Sequence, residues 1–293
     1  MRGLSIVASI FVILVSPTAC ADRGSIPFKP DVEIFEPTQR AIIAWNGEEE
    51  ILLLSTDLRA SEPTKVLEVI PLPSEPTVKE GDIETFKRAT RIINSKMMVY
   101  HSGGRALSKS ETAVPAGEVT FHEKIGAHDI SVTRVNDSEG FVEWVDKFLE
   151  KQGVDTPKIP QALKEVVNEY LQEDFTWFVF DVVELGNELR TNDAIQYRFK
   201  TESLYYPLKI TRTESGETSV EIIVLTPKLL SRFPGIPIQE IKLKHEPVEL
   251  TSRELREINE EMDDLLGHKP QMKLRIWEIT GKLSEFKKDL IAN

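Results

Sequence analysis

Arg40-Ala41-Ile42-Ile43-Ala44-Trp45-Asn46-Gly47-Glu48-Glu49-Glu50-Ile51-Leu52-Leu53-Leu54-Ser55 sets two apolar runs on either side of an Asn-Gly pair. Asn and Gly tolerate the positive φ of a tight hairpin turn, so the stretch predicts two long antiparallel strands. Downstream, Lys65 to Ile70 reads as a third strand, stopped by Pro71-Leu72-Pro73-Ser74-Glu75-Pro76. Ile83, Phe86, Ala89, Thr90 and Ile93 then recur at helical spacing, with Asp82 placed to cap the helix start. Ser95 to Gly117, with Gly103-Gly104 and scattered serines, predicts a long mobile loop.

Glu118 to Lys124 and Asp129 to Val135 predict a hairpin about Gly126-Ala127. A helix follows from Asn136-Asp137-Ser138, with Phe141, Val142, Val145, Phe148 and Leu149 on one face and Gly153 at its end. A second helix starts at Pro160 and turns Leu163, Val166, Val167, Tyr170 and Leu171 inward. Trp177 to Glu184 is apolar on both faces and predicts a strand covered on both sides. Ile195 to Thr201 alternates, with Ile195, Tyr197 and Phe199 inward. Tyr205 to Thr211 and Ser219 to Thr226 read as a hairpin about Glu214-Ser215-Gly216-Glu217, and Ile238 to Leu243 as a further strand. Thr251-Ser252-Arg253-Glu254 is a capping box for a helix running to Leu266, with Leu255, Ile258, Met262 and Leu265 buried and Gly267 at its end. Met272 to Ile279 and Ser284 to Ile291 predict a last strand and helix. The fold class is α+β, an antiparallel, sheet-rich core of hairpins with interspersed helices.

The N-terminus reads as an export signal. Arg2 precedes the apolar run Leu4 to Val15, Pro17 breaks it, and Ala19 and Ala21 supply the small residues for cleavage after Ala21. The run is shorter than the roughly 20 apolar residues that span a membrane. Cys20, after Thr18 and Ala19, is open to lipidation instead, which would leave the protein anchored to a surface. The divisions are then a signal peptide at 1–21, an extended leader at 22–38 with at most one short strand at Val32 to Phe35, a core domain at 39–230 and a C-terminal extension at 231–293.

The formal charge is −12, and signal removal takes away Arg2 and no acid. That balance opposes nucleic acid and anionic lipid as partners. Cys20 is the one cysteine, so stability comes from an ordinary core with no disulfide, and the chain is long enough to bury one. The expected location is secreted or cell-envelope associated.

The stretch AIIAWNGEEEILLLSTDLRA (41–60), followed by VIPLPSEPTVKEGD (69–82), resembles the prokaryotic exported family known as domain of unknown function 2330. The later order agrees: Ile125-Gly126-Ala127-His128-Asp129-Ile130, then Trp144, then Phe175-Thr176-Trp177-Phe178-Val179, then Tyr205-Tyr206-Pro207-Leu208-Lys209-Ile210. The resemblance covers Gln39 to Leu230. It implies an exported or surface protein and brings no activity. Many members carry a cysteine-rich stretch after the signal, where this chain has only Cys20.

Candidate chemistry is sparse. His101, His122, His128, His245 and His268 form no pair at helical spacing and read as solvated or hydrogen-bonded side chains rather than metal ligands. His101-Ser102-Gly103-Gly104-Arg105 reads as a loop tip rather than an anion cradle, lacking the Gly-Lys-Ser/Thr ending of a phosphate loop. There is no Gly-x-Ser-x-Gly. Asp181 shares a strand face with Trp177, Val179 and Val183, so it is either a buried general acid or base, or a structural partner of a cation such as Arg198, Lys209 or Arg212. Glu260, Glu261, Asp263 and Asp264 crowd the last turns of the predicted helix, and Glu48-Glu49-Glu50 crowds the first hairpin. Each is a solvated acidic patch, a surface for a basic partner or a weak Ca²⁺ site. No catalytic residue, cofactor or metal ligand is assigned. Two functions remain: a non-enzymatic module that binds a protein or glycan through a sheet edge or the Ser95 to Gly117 loop, and a carboxylate-dependent hydrolase acting on an extracellular polymer through Asp181 and Glu184.

Overall fold

The structure is a computed structural model that describes residues 23–29, 32–102, 122–125, 128–154, 157–214, 216–230, 233, 241–244 and 246–293. In chain order the elements are β1 (Gly24–Pro27), β2 (Ile34–Trp45), β3 (Glu49–Ala60), β4 (Thr64–Leu72), β5 (Thr77–Glu80), α1 (Glu84–Ser102), β6 (His122–Ile125), β7 (His128–Arg134), α2 (Ser138–Lys151), α3 (Gln161–Gln172), β8 (Trp177–Leu185), β9 (Arg190–Thr191), β10 (Ile195–Lys200), β11 (Leu204–Tyr206), β12 (Glu217–Thr226), β13 (Ile241–Leu243), β14 (Val248–Leu250), α4 (Ser252–Ile258), α5 (Glu260–Leu265), β15 (Met272–Lys282) and β16 (Leu290–Ala292). Short 3-10 turns sit at Lys209–Thr213 and Leu283–Glu285.

Two sheets pack face to face with helices outside each, in the α+β class the sequence predicts. The smaller sheet runs β1-β4-β8-β7-β6, and the larger runs β13-β15-β12-β2-β3-β10-β5, with β14 beside β15 and β9 beside β3. Every pairing is antiparallel except β2 with β12. Between the sheets, Ala41, Ile43, Leu52 and Leu54 meet Ile70, Leu72, Ile130 and Val179. Farther along, Ile34, Leu58 and Ala60 meet Val66, Val183 and Leu185. Alternate residues on the same strands face the helices: Ile42, Leu53 and Ile223 pack on Phe86, Leu255 and Met262. On the other side, Leu67, Val69, Phe178 and Phe180 pack on Phe141, Val145 and Leu163. Each of the larger apolar side chains stabilises the fold by roughly 1.5–3 kcal/mol relative to exposure. β8 is covered on both faces, as its apolar residues on both faces imply.

The opening hairpin forms as its sequence dictates. Gly47 takes φ +106°, and Asn46 Oδ1 accepts from the amides of Glu48 and Glu49, each at 2.8 Å. Asp82 accepts from the Glu84 amide at 2.9 Å, and Asp137 caps α2 by accepting from the Gly140 amide at 2.7 Å. Pro160 is the residue before the first turn of α3.

Several expectations are corrected. Residues 95–102 continue helix α1 and are not loop; 103–117 lie outside the described residues, as do the signal with Ala19, Cys20 and Ala21, and the turn at 126–127. Tyr205 to Thr211 is not one strand: β11 stops at Tyr206, before Pro207, and pairs with β16. β12 has Val220, Ile222 and Val224 on one face and Ile223 and Leu225 on the other, so it takes an interior place between β2 and β15. The segment 284–291 is no helix, since Leu290 and Ala292 are buried about an exposed Ile291, the period of a strand. Where the sequence suggests only a leader, Gly24–Pro27 forms the edge strand β1, and Gly24 lies so close to Leu163 that a Cβ would sit 2.5 Å from Leu163 Cδ1.

The helix predicted from Thr251 to Leu266 begins as expected, with both hydrogen bonds of the capping box. It breaks at Asn259, which has extended backbone (φ −159°, ψ 119°) and caps α5 by accepting from the Met262 amide at 3.1 Å. The break changes the meaning of the acidic cluster. Glu260, Glu261 and Asp263 lie in a first turn, where the helix dipole favours them.

Candidate functional site

The candidate site grows from strand register. Glu68 on β4 and Asp181 on β8 are direct cross-strand partners. Their neighbours Val66, Ile70, Val179 and Val183 are buried between the sheets, so both carboxylates point into the sandwich. Two carboxylates placed opposite each other repel. The fold brackets them with cations: Arg23, just before β1, donates through Nη1 to Glu68 Oε2. His128, the first residue of β7, has Nδ1 2.6 Å from Asp181 Oδ2. The resulting row, Arg23, Glu68, Asp181, His128, spans four adjacent strands or their ends, and no member is more than 2% exposed.

The Asp181 carboxyl holds the imidazole by its Nδ1 side and leaves Nε2 facing the other way. Burial works against a charged imidazole, but the hydrogen bond and charge of Asp181 outweigh it and raise the His128 pKa above its ordinary value. Glu68 is raised by burial first and by the charge of Asp181, with Arg23 opposing. An acid orienting a histidine is half of a nucleophilic triad. The other half is missing here: among the described residues, His128 Nε2 has no hydrogen-bond partner, hydroxyl or otherwise.

Asp181 is therefore paired, but with His128 and not with the expected cations. Arg198 bonds Glu49 at 2.7 Å, Lys209 bonds Glu173 at 2.6 Å, and Arg212 pairs with Glu169. Glu184 points away from Asp181, 75% exposed and 3.5 Å from Lys65, so the two do not form a hydrolytic pair. The acidic hairpin divides likewise. Glu49 takes the Arg198 ion pair, while buried Glu50 accepts from the Tyr205 amide at 2.8 Å and is raised well above the usual range by burial.

Asp263, Asp264 and His268 place ligand atoms within 4.8 Å of one another. Asp263 Oδ2 already accepts from Ser252, Arg256 and His268 at 2.9, 3.1 and 2.7 Å. The Arg256 guanidinium is paired with Asp263, and the group ties α4, α5 and the approach to β15 together. Glu261 pairs with Lys79 and accepts from Gln196 at 2.8 Å. No helix among the described residues is long and apolar enough to cross a membrane.

Sequence reasoning singled out Asp181 but not Arg23, Glu68 or His128 beside it. Glu68 carried the same signal, a lone charge in the apolar run Val66 to Leu72. His128 shares the inward period of Ile130 and Val132.

The family model described as an uncharacterized protein conserved in bacteria, domain of unknown function 2330, matches residues 16–240. No curated protein matches the chain significantly. The crystal structure of baculovirus P35 is similar with a TM-score of 0.45 and 9% identity, covering 92% of this chain and 99% of that one. The crystal structure of the caspase-8/P35 complex is similar with a TM-score of 0.41 and 8% identity, covering 88% and 96%.

Proposed function

The chain belongs to the bacterial family of uncharacterized proteins termed domain of unknown function 2330, and from that premise we propose that it is an exported, non-enzymatic binding protein of the cell envelope or exterior. One observation carries the non-enzymatic reading. The pair closest to an acid–base arrangement, Asp181 and His128, is at most 1% exposed and lies between two packed sheets. General acid–base groups must come within hydrogen-bond reach of a substrate, and these are sealed from any.

Export is supported by the apolar run Leu4 to Val15 ahead of Ala19-Cys20-Ala21. Cleavage after Ala21 spares every described element, and a lipid on Cys20 would anchor the protein to a surface.

For binding, the strand edges matter. β5, at one end of the larger sheet, exposes Thr77, Lys79 and Glu80 and no apolar side chain. β13, at the other end, carries Leu243 at 43% exposure. An extended segment of a protein partner would add there through main-chain hydrogen bonds, with an apolar side chain against Leu243. Photo-crosslinking in the exporting cell tests this. A probe at position 243 should capture an envelope or extracellular partner, while a probe at Leu189, 52% exposed between β8 and β9, should not. Capture from 189 and none from 243 would refute the edge-binding reading.

A further inference from the structure

The C-terminal strand is fastened by a second buried polar group, separate from the Asp181 row. β16 pairs with β11 through Leu204↔Ala292, Tyr205↔Ile291 and Tyr206↔Leu290. Leu290, Ala292 and Phe286 fill the core between the sheets. Asp289, immediately before β16 and 6% exposed, holds the joint. Its Oδ1 accepts from the Tyr170 hydroxyl of α3 and from the Lys209 amide, each at 2.7 Å. Among the described residues its Oδ2 meets the Tyr205 hydroxyl, at 3.5 Å, the outer limit of a hydrogen bond, and the Tyr170 and Tyr205 side chains also interact with each other.

Tyr205 has a single hydroxyl hydrogen. The Pro71 carbonyl lies nearer, at 3.2 Å, and is a better acceptor for it. The one hydroxyl hydrogen can serve Pro71 O or Asp289 Oδ2, and with it on Pro71 O the Tyr205–Asp289 contact is bridged only by a hydrogen from the carboxyl. We propose that Asp289 is a proton-operated clip. Protonated, its Oδ2–H donates to Tyr205 Oη, which donates to Pro71 O, and β16 stays docked on β11; loss of the proton breaks the chain and loosens β16.

The surroundings agree. Burial lifts Asp289 to about 6, against the opposing effects of the Lys209 amide, Tyr170 and the Lys209 charge. Facing it are Tyr170 from α3, Glu173 just after α3, Tyr205 from β11 and Lys209 from the 3-10 turn; Lys287 and Lys288 beside it in sequence are exposed. Glu50 of β3 reaches the same joint through the Tyr205 amide. Lys209 Nζ pairs with Glu173 at 2.6 Å and lies 4.0 Å from the Tyr170 ring centroid, so its charge is already engaged. Both tyrosines are raised well above their ordinary value, chiefly by burial, and keep their hydrogens.

Hydrogen exchange of the intact protein, corrected for intrinsic rates, reads the clip. Relative to β8, protection of 290–292 should be weaker at about pH 8 than at about pH 5 by about 10- to 100-fold, the factor by which a buried acid of this kind prefers its proton. Asp289→Asn, with a neutral carboxamide that can donate to Tyr205, should keep the protection at both pH values. Unchanged relative protection in the wild type, or an undiminished pH dependence in the variant, overturns the clip. Should the variant not fold, titration of the wild-type Asp289 carboxyl carbon by NMR decides. A midpoint near 6 supports the proposal, and one at the ordinary aspartate value overturns it.

Discussion

Asp181 Oδ2 lies 2.6 Å from His128 Nδ1, with both side chains at most 1% exposed between the two sheets. Removing one partner leaves the other buried without its counter-charge. Asp181→Ala is therefore expected to lower stability by about 3–5 kcal/mol. Urea denaturation checks this, and a loss below 1 kcal/mol would show that the pair is not a structural joint.

Stability should fall as pH rises across neutrality. Burial lifts Glu214 to about 7 and Asp289 to about 6, and raises Glu50 and Glu68 as well. An acid with a higher pKa folded than unfolded holds its proton more tightly in the fold. Its stabilisation is complete below the unfolded value and disappears as pH rises through the folded one. His128 is also raised, because Asp181 outweighs burial, so its contribution is likewise lost above the unfolded value of about 6.5. Asp82, held low by Arg88, and Glu254, held low by Lys96 and Thr251, act in the opposite sense only in stronger acid. The urea midpoint should be higher at about pH 5.5 than at about pH 8. A midpoint that is flat or climbs over that range contradicts the assignment.

The two caps of the broken helix should each carry weight. Thr251→Ala loses the bond from the Glu254 amide and should cost about 1 kcal/mol. Asn259→Ala should cost at least as much, since it also drops the bond from Nδ2 to Gln196 at 3.1 Å. Equal stability of wild type and Asn259→Ala would mean that α4 and α5 do not depend on that cap.

The N-terminal strand should tolerate no added methyl. In Gly24→Ala the Cβ would meet Leu163 Cδ1 at 2.5 Å and Ile210 Cγ1 at 3.3 Å, both on buried residues. A cost of about 1–3 kcal/mol is expected, with β1 losing hydrogen-exchange protection first. A neutral substitution would mean that β1 does not pack against α3.

Local signals in the sequence were enough for the elements with strong chemistry of their own. Asn46-Gly47 fixed a hairpin, Thr251 and Glu254 a helix start, and the apolar run at Trp177 to Glu184 a doubly covered strand. What local sequence does not carry is partner choice. Nothing in Tyr205 to Thr226 tells β11 to pair with β16 and β12 to lie between β2 and β15, because those pairings are settled by which apolar faces meet in the assembled sandwich. Asn259 illustrates a finer limit. The spacing of Leu255, Ile258, Met262 and Leu265 fits one helix, and only the capping bond to Met262 reveals two.

The candidate site was half legible for the same reason. Asp181 stood out as a lone charge in an apolar strand, and Glu68 carried an equal signal. That the two face each other, and that Arg23 and His128 bracket them, depends on the register of four strands far apart in sequence.

Asp181 and His128 are sealed inside the fold, and the proposed binding role rests on that seal. Diethylpyrocarbonate labelling of the native protein, read residue by residue by mass spectrometry, tests it most directly. His268, with its side chain 51% exposed, should react readily, and His128, at 1%, only under denaturing conditions. Native-state modification of His128 at a rate comparable to that of His268 would show that solvent and substrates reach the pair, and would contradict the claim.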